Sequence, residues 1–209
     1  MYSIDEQTGW YLPEAAHPHT VFTEAGFELT YASIKGGEAP VDLGSIDATK
    51  DDEECVKFLE SGVHKSTVAL STCNAADYDA VFYVGGFGTM WDFPDSPDVH
   101  KVTADMWTKG GVVGAVCHGP CALVNVKLED GSYLVAGKKV AAFTNEEEDA
   151  VSRRDKVPFT CEDKFKEIGA EFVDGGAWAC NVVVDGKLVT GQNPPSAKKA
   201  AEEIVALLK

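Results

Sequence analysis

The stretch from residue 110 to residue 124 constrains the fold most, because its character changes abruptly along a short length. A run of small and β-branched apolar residues at 110–116 ends at the pair Cys117-His118. Gly119-Pro120 follows, and then a segment of small residues with helical spacing. Such an order predicts a buried strand, a sharp turn at Cys117 and a helix. This arrangement is a thiol version of the nucleophile elbow, in which a reactive side chain stands on a tight strand-to-helix turn.

The elbow makes Cys117 the first candidate for a catalytic nucleophile. The dipole of the following helix and any nearby cation are expected to lower the pKa of its thiol. A cysteine before a helix is more often a buried structural residue, but the adjoining His118 and the flanking glycines favour catalysis. Cys121 lies four residues further on, which leaves a resolving disulfide open, although core packing is the simpler interpretation.

Length and charge exclude several classes of protein. A chain of 209 residues is long enough for one domain over 1–209 with a three-layer core. The net charge of −16 argues against binding to nucleic acid or to anionic membrane surfaces. No apolar run approaches the roughly 18 residues of a membrane span, and the first residues do not resemble a signal peptide. The six cysteines form no CxxC pair, which favours reduced thiols and a cytoplasmic location.

Predicted strands alternate with predicted helices along the chain. The strands are expected at 27–32, 80–84, 110–116, 140–144 and in a hairpin turning at Asp185-Gly186. The helices are expected from Pro13, at 51–59, 98–109, after Cys117, after a capping Asn145, at 158–168 and at 196–208. This alternation predicts an α/β sandwich with a mostly parallel sheet. Reactive groups gather beyond the carboxyl ends of the strands in such a sheet.

Three further segments are candidates for that edge. The glycines of Gly85-Gly86-Phe87-Gly88 follow a strand, and their N–H groups are suited to bind an oxyanion. The alternative is that the segment is an ordinary tight turn. Glu14 lies at the start of a helix in an apolar setting, which makes it a candidate for the site. The alternative is an acid that only interacts with the helix dipole or with solvent. The acidic run Glu146–Asp149 has the composition of a solvated helix start, yet one member is suited to hold His118 in its useful tautomer.

Metal binding has little support in the sequence. His17 and His19 flank Pro18, which disrupts the regular spacing of a helical or strand chelate. His64 and His100 have no ligand-like neighbours along the chain. Structural or surface roles are the simpler interpretation of all four, and no metal or cofactor is expected.

Motifs spread over nearly the whole chain carry a family resemblance. They are TGWYLPEAAHP at 8–18, ASxxGG at 32–37, YDAVF at 78–82, GGxGTMWD at 85–92, AVCHGP at 115–120, FTNxEE at 143–148 and LVTGQNP at 188–194. With these motifs in this order, the chain resembles the ThiJ/PfpI superfamily of glutamine-amidotransferase-like folds. Within it, the chain is most similar to the glutathione-independent glyoxalase III branch, also called D-lactate dehydratase. The resemblance implies a flavodoxin-like three-layer sandwich.

The resemblance also implies roles for individual residues. Cys117 is similar to the family's nucleophile, His118 to its partner and Glu14 to the acid beside the thiol. Gly86 and the backbone of His118 match the oxyanion-binding positions. Glu148 matches the carboxylate that orients the histidine.

Two departures from the family pattern affect these expectations. Relatives usually have histidine where this chain has Phe87, which removes a polar group from the pocket wall and bears on substrate preference. Relatives also carry an apolar strand ahead of the Thr8-Gly9 loop, whereas this chain starts at Met1 within that loop. The first strand is therefore expected to be missing, which would leave open edges at 27–32 and 80–84 and a chain of low stability.

The function implied is conversion of methylglyoxal, a small 2-oxoaldehyde, to D-lactate without cofactor or glutathione. Deglycation of protein adducts, holdase activity as a stress chaperone on unfolded proteins, and a homodimeric assembly are implied as well. One alternative is a non-catalytic redox sensor or holdase that uses Cys117 as an oxidisable thiol. Another is a cysteine amidase or peptidase. Glutamine amidotransfer is not expected, because no late His-x-Glu completes that triad.

Overall fold

The computed structural model describes residues 7–209 as helices and short strands in alternation. The helices are α1 (Leu12–Glu24), α2 (Leu43–Ala48), α3 (Glu53–Ser61), α4 (Thr89–Asp92), α5 (Pro97–Thr108), α6 (Asn145–Ala150), α7 (Cys161–Glu167) and α8 (Ala197–Leu208). The strands are β1 (Ala32–Ser33), β2 (Val68–Ala69), β3 (Ala80–Tyr83), β4 (Val112–Val116), β5 (Lys139–Val140), β6 (Glu171–Phe172), β7 (Val182–Asp185) and β8 (Leu188–Gly191). Among these residues, no helix is both long and apolar enough to cross a membrane.

The main sheet has the order β3-β4-β8-β7. β3, β4 and β8 run parallel, and β7 joins β8 as the predicted antiparallel hairpin. Two smaller parallel pairs, β1 with β2 and β5 with β6, complete the strands of the described residues. The predicted α/β class with a mostly parallel sheet is confirmed.

β4 is the centre of the main sheet, and all five of its residues are buried. Successive side chains point to opposite faces, so Val112 and Val113 pack in different apolar clusters. At Gly114 a Cβ atom would lie 2.5 Å from Ile204 Cδ1 and 2.8 Å from Phe82 Cδ2, so a larger residue would require these side chains to shift. Burial on both faces explains why the strand reads as an uninterrupted apolar run.

Helices cover both faces of this sheet. α8 packs on β4 and β8 and also along α1, so α1 and α8 form one layer. α5 packs against β3 and β4 on the other face, where Val99 and Val102 meet the sheet. The result is the expected three-layer sandwich. It holds the carboxyl end of β4, where Cys117 follows, beside the first turn of α1.

Some predicted strands are shorter than expected. Of residues 27–32 only Ala32 is in a strand, and of residues 140–144 only Val140 is. β3 lies at the edge of the main sheet, and no other strand of the described residues pairs along its free side. A strand needs a hydrogen-bonded neighbour: the Tyr31 carbonyl accepts from Val68 N at 2.9 Å, but no strand of the described residues pairs with residues 27–30. The expectation about a strand ahead of Thr8 concerns chain outside the described residues.

Candidate active site

The turn after β4 holds Cys117 in a conformation that side chains rarely adopt. Its φ is +61°, in the left-handed region. The backbone is fixed there because the Cys117 N–H donates to Gly191 O at 2.9 Å and its carbonyl accepts from Phe143 N at 2.9 Å. Strain of this kind, held by surrounding hydrogen bonds, is common at reactive positions. The elbow predicted from the sequence is therefore present.

The helix after the elbow differs from the prediction. Gly119–Leu123 forms a short 3₁₀ helix and not an α-helix. Gly119 is required at its start, because a Cβ atom there would lie 2.3 Å from Tyr83 O. So short a helix has few aligned peptide dipoles, and it stabilises an anion less than a longer helix would.

Cys117, His118 and Glu148 form a buried relay. Cys117 Sγ lies 3.3 Å from His118 Nδ1, and His118 Nε2 lies 2.8 Å from Glu148 Oε1. The exposed fractions of these residues are 4 %, 1 % and 0 %. The tautomer with its proton on Nε2 satisfies both contacts, because Nε2 then donates to Glu148 and Nδ1 accepts from the thiol. The predicted pairing of Glu148 with His118 is thus present in the structure.

The pKa of the Cys117 thiol moves in the direction opposite to that expected. Burial raises it above the ordinary value of 9.0, and the nearby Glu14 carboxyl raises it further. The expectation of a lowered pKa is wrong, because burial outweighs what a short 3₁₀ helix supplies. The resting group is a thiol, and a base must take its proton when it reacts. His118 Nδ1 is in position to do so.

Glu14 lies beside the thiol on the first turn of α1. It is fully buried, and its Oε2 accepts a hydrogen bond from Gly85 N at 3.0 Å. Its carboxyl also interacts with the Cys117 side chain. Burial raises the pKa of Glu14 to about 8, so the group is mainly a carboxylic acid at neutral pH. The structure therefore places a proton donor next to the candidate nucleophile.

The glycine turn after β3 lies against both of these groups. A Cβ atom on Gly85 would meet Glu14 Oε2 at 2.6 Å and His118 N at 2.8 Å. Gly86 has a φ of +109°, and its α-carbon packs on the 9–11 loop. Since the N–H of Gly85 is already bonded to Glu14, Gly86 and the His118 backbone stay the predicted oxyanion donors.

Two aromatic rings flank the imidazole of His118, and an arginine and a third ring pack on these two. Phe87 and Phe143 each lie with ring centroids 4.5 Å from it. The Arg153 guanidinium lies 4.4 Å from the centre of the Phe87 ring, and the exposed Trp178 meets Phe143 edge-on. The aromatic residue in the predicted glycine turn is therefore a wall of the site. Nothing in the local sequence around Arg153 or Trp178 indicated that they would lie here.

Cys121 does not point to the nucleophile. Its side chain is fully buried in the core, and its thiol donates to Thr89 O at 3.5 Å. It packs in the same apolar cluster as Cys161. Core packing is confirmed as the role of Cys121, in preference to a resolving thiol.

Glu147 is a buried residue that the sequence did not single out. Its Oε1 accepts from Trp178 N, Gln192 Nε2 and Asn193 Nδ2, at 2.8 to 3.1 Å. Its Oε2 accepts from the backbone and hydroxyl of Thr144, which completes a capping box at the start of α6. Thr144, and not Asn145, is therefore the capping residue. This network fixes the first turn of α6, which carries Glu148 to His118.

We expect Glu147→Gln to destabilise the protein strongly. Both carboxylate oxygens of Glu147 accept hydrogen bonds from neighbouring donors. Glutamine replaces one of these oxygens by an NH₂ group, which cannot accept, so several buried hydrogen bonds are lost together. At about 1.5–3 kcal/mol for each bond to a charged group, the free energy of unfolding should fall by at least about 3 kcal/mol. Denaturant unfolding measures this change. Glu146→Gln, at the exposed neighbour, should change it by less than about 0.5 kcal/mol, and equal effects would contradict the network.

Comparison with known proteins connects this site to a family. The DJ-1/PfpI family profile matches residues 9–207. Glyoxalase 3 of Candida albicans is 34% identical over 98% of this chain and 92% of its own length. The glutathione-independent glyoxalase HSP31 of Saccharomyces cerevisiae is 33% identical over 100% of this chain and 92% of its own length.

Solved structures agree with the sequence matches. The Rapid Encystment Protein 24 kDa of Francisella tularensis superposes with a TM-score of 0.95 at 38% identity, covering 100% of this chain and 94% of that one. Glyoxalase III of Candida albicans superposes with a TM-score of 0.83 at 32% identity, covering 99% of this chain and 91% of that one. The buried thiol, its histidine and the match over almost the whole chain lead to one conclusion: the protein belongs to the DJ-1/PfpI family.

Proposed function

We propose that the protein is a glutathione-independent glyoxalase that converts methylglyoxal to D-lactate. The observation that carries the proposal is the buried relay of Cys117, His118 and Glu148 with the protonated Glu14 beside it. The relatives that are 33–34% identical over nearly their whole length and named glyoxalases support the same activity. The thiol of Cys117 takes the place that glutathione has in the glutathione-dependent reaction.

In the first step Cys117 Sγ adds to the aldehyde carbon of methylglyoxal. The S–C bond forms as the thiol proton passes to His118 Nδ1, and the aldehyde π electrons move to oxygen. Gly86 and the His118 backbone are the proposed donors to this oxygen. Protonation of the oxygen gives a hemithioacetal. Glu148 stabilises the imidazolium that forms on His118, as the carboxylate of a triad does.

In the second step a proton moves from the former aldehyde carbon to the neighbouring carbonyl carbon. Glu14 and His118 are the proposed acid and base, which remove the C–H proton to give an enediol and return a proton to the second carbon. The first carbon becomes the carbonyl of a thioester with Cys117. One carbon is oxidised and the other reduced, so the rearrangement needs no external oxidant or reductant.

In the third step water hydrolyses the thioester. Water adds to its carbonyl, the C–S bond breaks, and Cys117 recovers its proton as lactate leaves. The balance is one methylglyoxal and one water for one lactate. The apolar rings of Phe87 and Phe143 beside His118 suit the methyl group of such a small substrate.

Lactate formation tests the proposal directly. We expect the purified protein to form D-lactate from methylglyoxal in buffer without glutathione, measured with a D-specific lactate dehydrogenase. Cys117→Ala should form none above the uncatalysed rate. Failure of the unchanged protein to form lactate, or equal rates for the two proteins, would refute the proposal.

Four finer properties are also proposed. The family resemblance supports deglycation of protein adducts and a holdase role, and also a homodimer. The six cysteines, all free thiols, support a cytoplasmic location. Light scattering coupled to size exclusion measures the assembly, and a mass of one chain would refute the dimer.

A further inference from the structure

A second cluster of reactive side chains lies where α1 meets the start of α3. His17 belongs to α1, Asp52 is the N-cap of α3, and Cys55 lies in the first turn of α3. One ligand atom from each of the three lies within 4.8 Å of the others. Their separation in sequence, with His17 and Asp52 35 residues apart, is why no spacing motif revealed them.

We propose that His17, Asp52 and Cys55 form a binding site for a divalent zinc-class ion. The donor set is one imidazole nitrogen, one carboxylate oxygen and one sulfur. Zn²⁺ and Co²⁺ accept this mixture, whereas Mg²⁺ and Ca²⁺ prefer oxygen ligands alone. The charges of carboxylate and thiolate balance those of a divalent ion. The thiol proton of Cys55 leaves to solvent when the Cys55–metal bond forms.

The distances require only a small adjustment. Tetrahedral zinc with bonds of about 2.0–2.3 Å separates its ligand atoms by roughly 3.3–3.8 Å. His17 Nε2 and Asp52 Oδ2 now lie 2.8 Å apart in a hydrogen bond, and the sulfur lies within 4.8 Å of both. The ion would replace that hydrogen bond by drawing the sulfur inward and separating the nitrogen from the oxygen.

The cluster has one side in the core and one side in solvent. The Cys55 thiol is completely buried, while the side chains of His17 and Asp52 are 24% and 32% exposed. An ion can therefore enter from solvent, and a water molecule can serve as its fourth ligand. Three protein ligands with one open position are a common zinc arrangement.

The Asp52 carboxylate is already oriented for this task. Its Oδ1 accepts from the backbone N–H groups of Glu54 and Cys55, at 2.9 and 3.2 Å, which caps α3. This leaves Oδ2 directed toward His17. Outer hydrogen bonds of this kind hold a ligand in place and strengthen metal binding.

The site is separate from the relay of Cys117, yet it acts on the same helix. His17 lies three residues after Glu14, about one turn along α1. An ion that joins α1 to α3 would fix the helix that presents Glu14 to the thiol. The expected effect is on stability, so the glyoxalase proposal does not depend on it.

Titration of the metal-free full chain with Co²⁺ tests the site. We expect one ion per chain, with a thiolate-to-Co²⁺ charge-transfer band in the near ultraviolet, and a higher melting temperature when Zn²⁺ is added. Cys55→Ser should abolish the band. His17→Gln, at a position that is mostly buried, should weaken binding by more than about 100-fold, since even an outer partner is worth about 10–100-fold.

Two other cysteines provide matched controls. Cys73→Ser and Cys180→Ser alter free thiols outside the cluster and should leave both band and affinity unchanged. Circular dichroism confirms that each variant is folded. Absence of a charge-transfer band in the unchanged protein, a band that survives Cys55→Ser, or normal affinity in folded His17→Gln would each overturn the proposal.

Discussion

Cys117→Ser is expected to remove nearly all glyoxalase turnover while the protein stays folded. The hydroxyl is close in size to the thiol, so the packing around this 4 % exposed side chain is kept. A hydroxyl is nevertheless a far weaker nucleophile at neutral pH, because its proton is much harder to remove than that of a thiol. Loss of an equivalent nucleophile costs a factor of about 10⁶ in a serine protease, and we expect kcat to fall by at least about 1,000-fold. Lactate formation at saturating methylglyoxal measures it.

Cys121→Ser is the matched control for this experiment. It makes the same atomic change four residues away, at a thiol that is also buried. The serine hydroxyl can still donate to Thr89 O, so the local structure has a replacement for the present contact. Turnover should stay within a few-fold of the unchanged protein. Equal losses at both positions would contradict Cys117 as the sole nucleophile.

The sheet and the elbow were predictable because their signals are local. The apolar run 110–116 is buried on both faces, so it needs no alternation to be recognised as a strand. Gly119 and the positive φ of Cys117 belong to one short turn, whose residues stand together in the sequence. The failure at 27–31 has the opposite cause. That segment alternates like a strand, but strand formation depends on a neighbour that a local pattern does not contain.

The electrostatics of the site were less accessible to sequence reasoning. Four acidic residues in a row, at 146–149, are typical of a solvated helix start, yet the structure buries Glu147 and Glu148 completely. Their partners come from distant positions, such as Trp178 and Asn193. The pKa of Cys117 likewise depends on burial from every side, which no single segment reveals. The residues chosen from the sequence therefore lie together in the structure, and their catalytic roles stay predictions, whereas the expected lowering of the Cys117 pKa is wrong.

Glu14→Gln is expected to abolish turnover without loss of fold. Glutamine has the shape of the protonated acid, and it can still accept the hydrogen bond from Gly85 N. It has no proton to transfer between the two substrate carbons. General acid–base groups contribute about 10²–10⁴-fold, so kcat should fall by at least about 100-fold. Full activity in this variant would refute Glu14 as an acid–base group of the second step.

The same variant should change how stability depends on pH. Because burial raises the pKa of Glu14 from 4.5 to about 8, the folded state holds this proton where the unfolded state has lost it. The resulting stability is fully present below about pH 4.5 and is lost as pH rises through about 8. The glutamine introduced by Glu14→Gln has no titrating proton, so the free energy of unfolding should fall less between about pH 5 and 8 in the variant.

Denaturant titrations at about pH 5, 6.5 and 8 measure this difference in slope. The window lies below 9.0, the ordinary pKa of a thiol, so ionisation of Cys117 does not contribute to it. Glu24→Gln alters an exposed glutamate on the same helix and should reproduce the slope of the unchanged protein. A variant that is folded and inactive, yet has an unchanged slope, would show that Glu14 is ionised in the folded state. The proton that Glu14 is proposed to donate in the second step of the reaction would then have to come from His118.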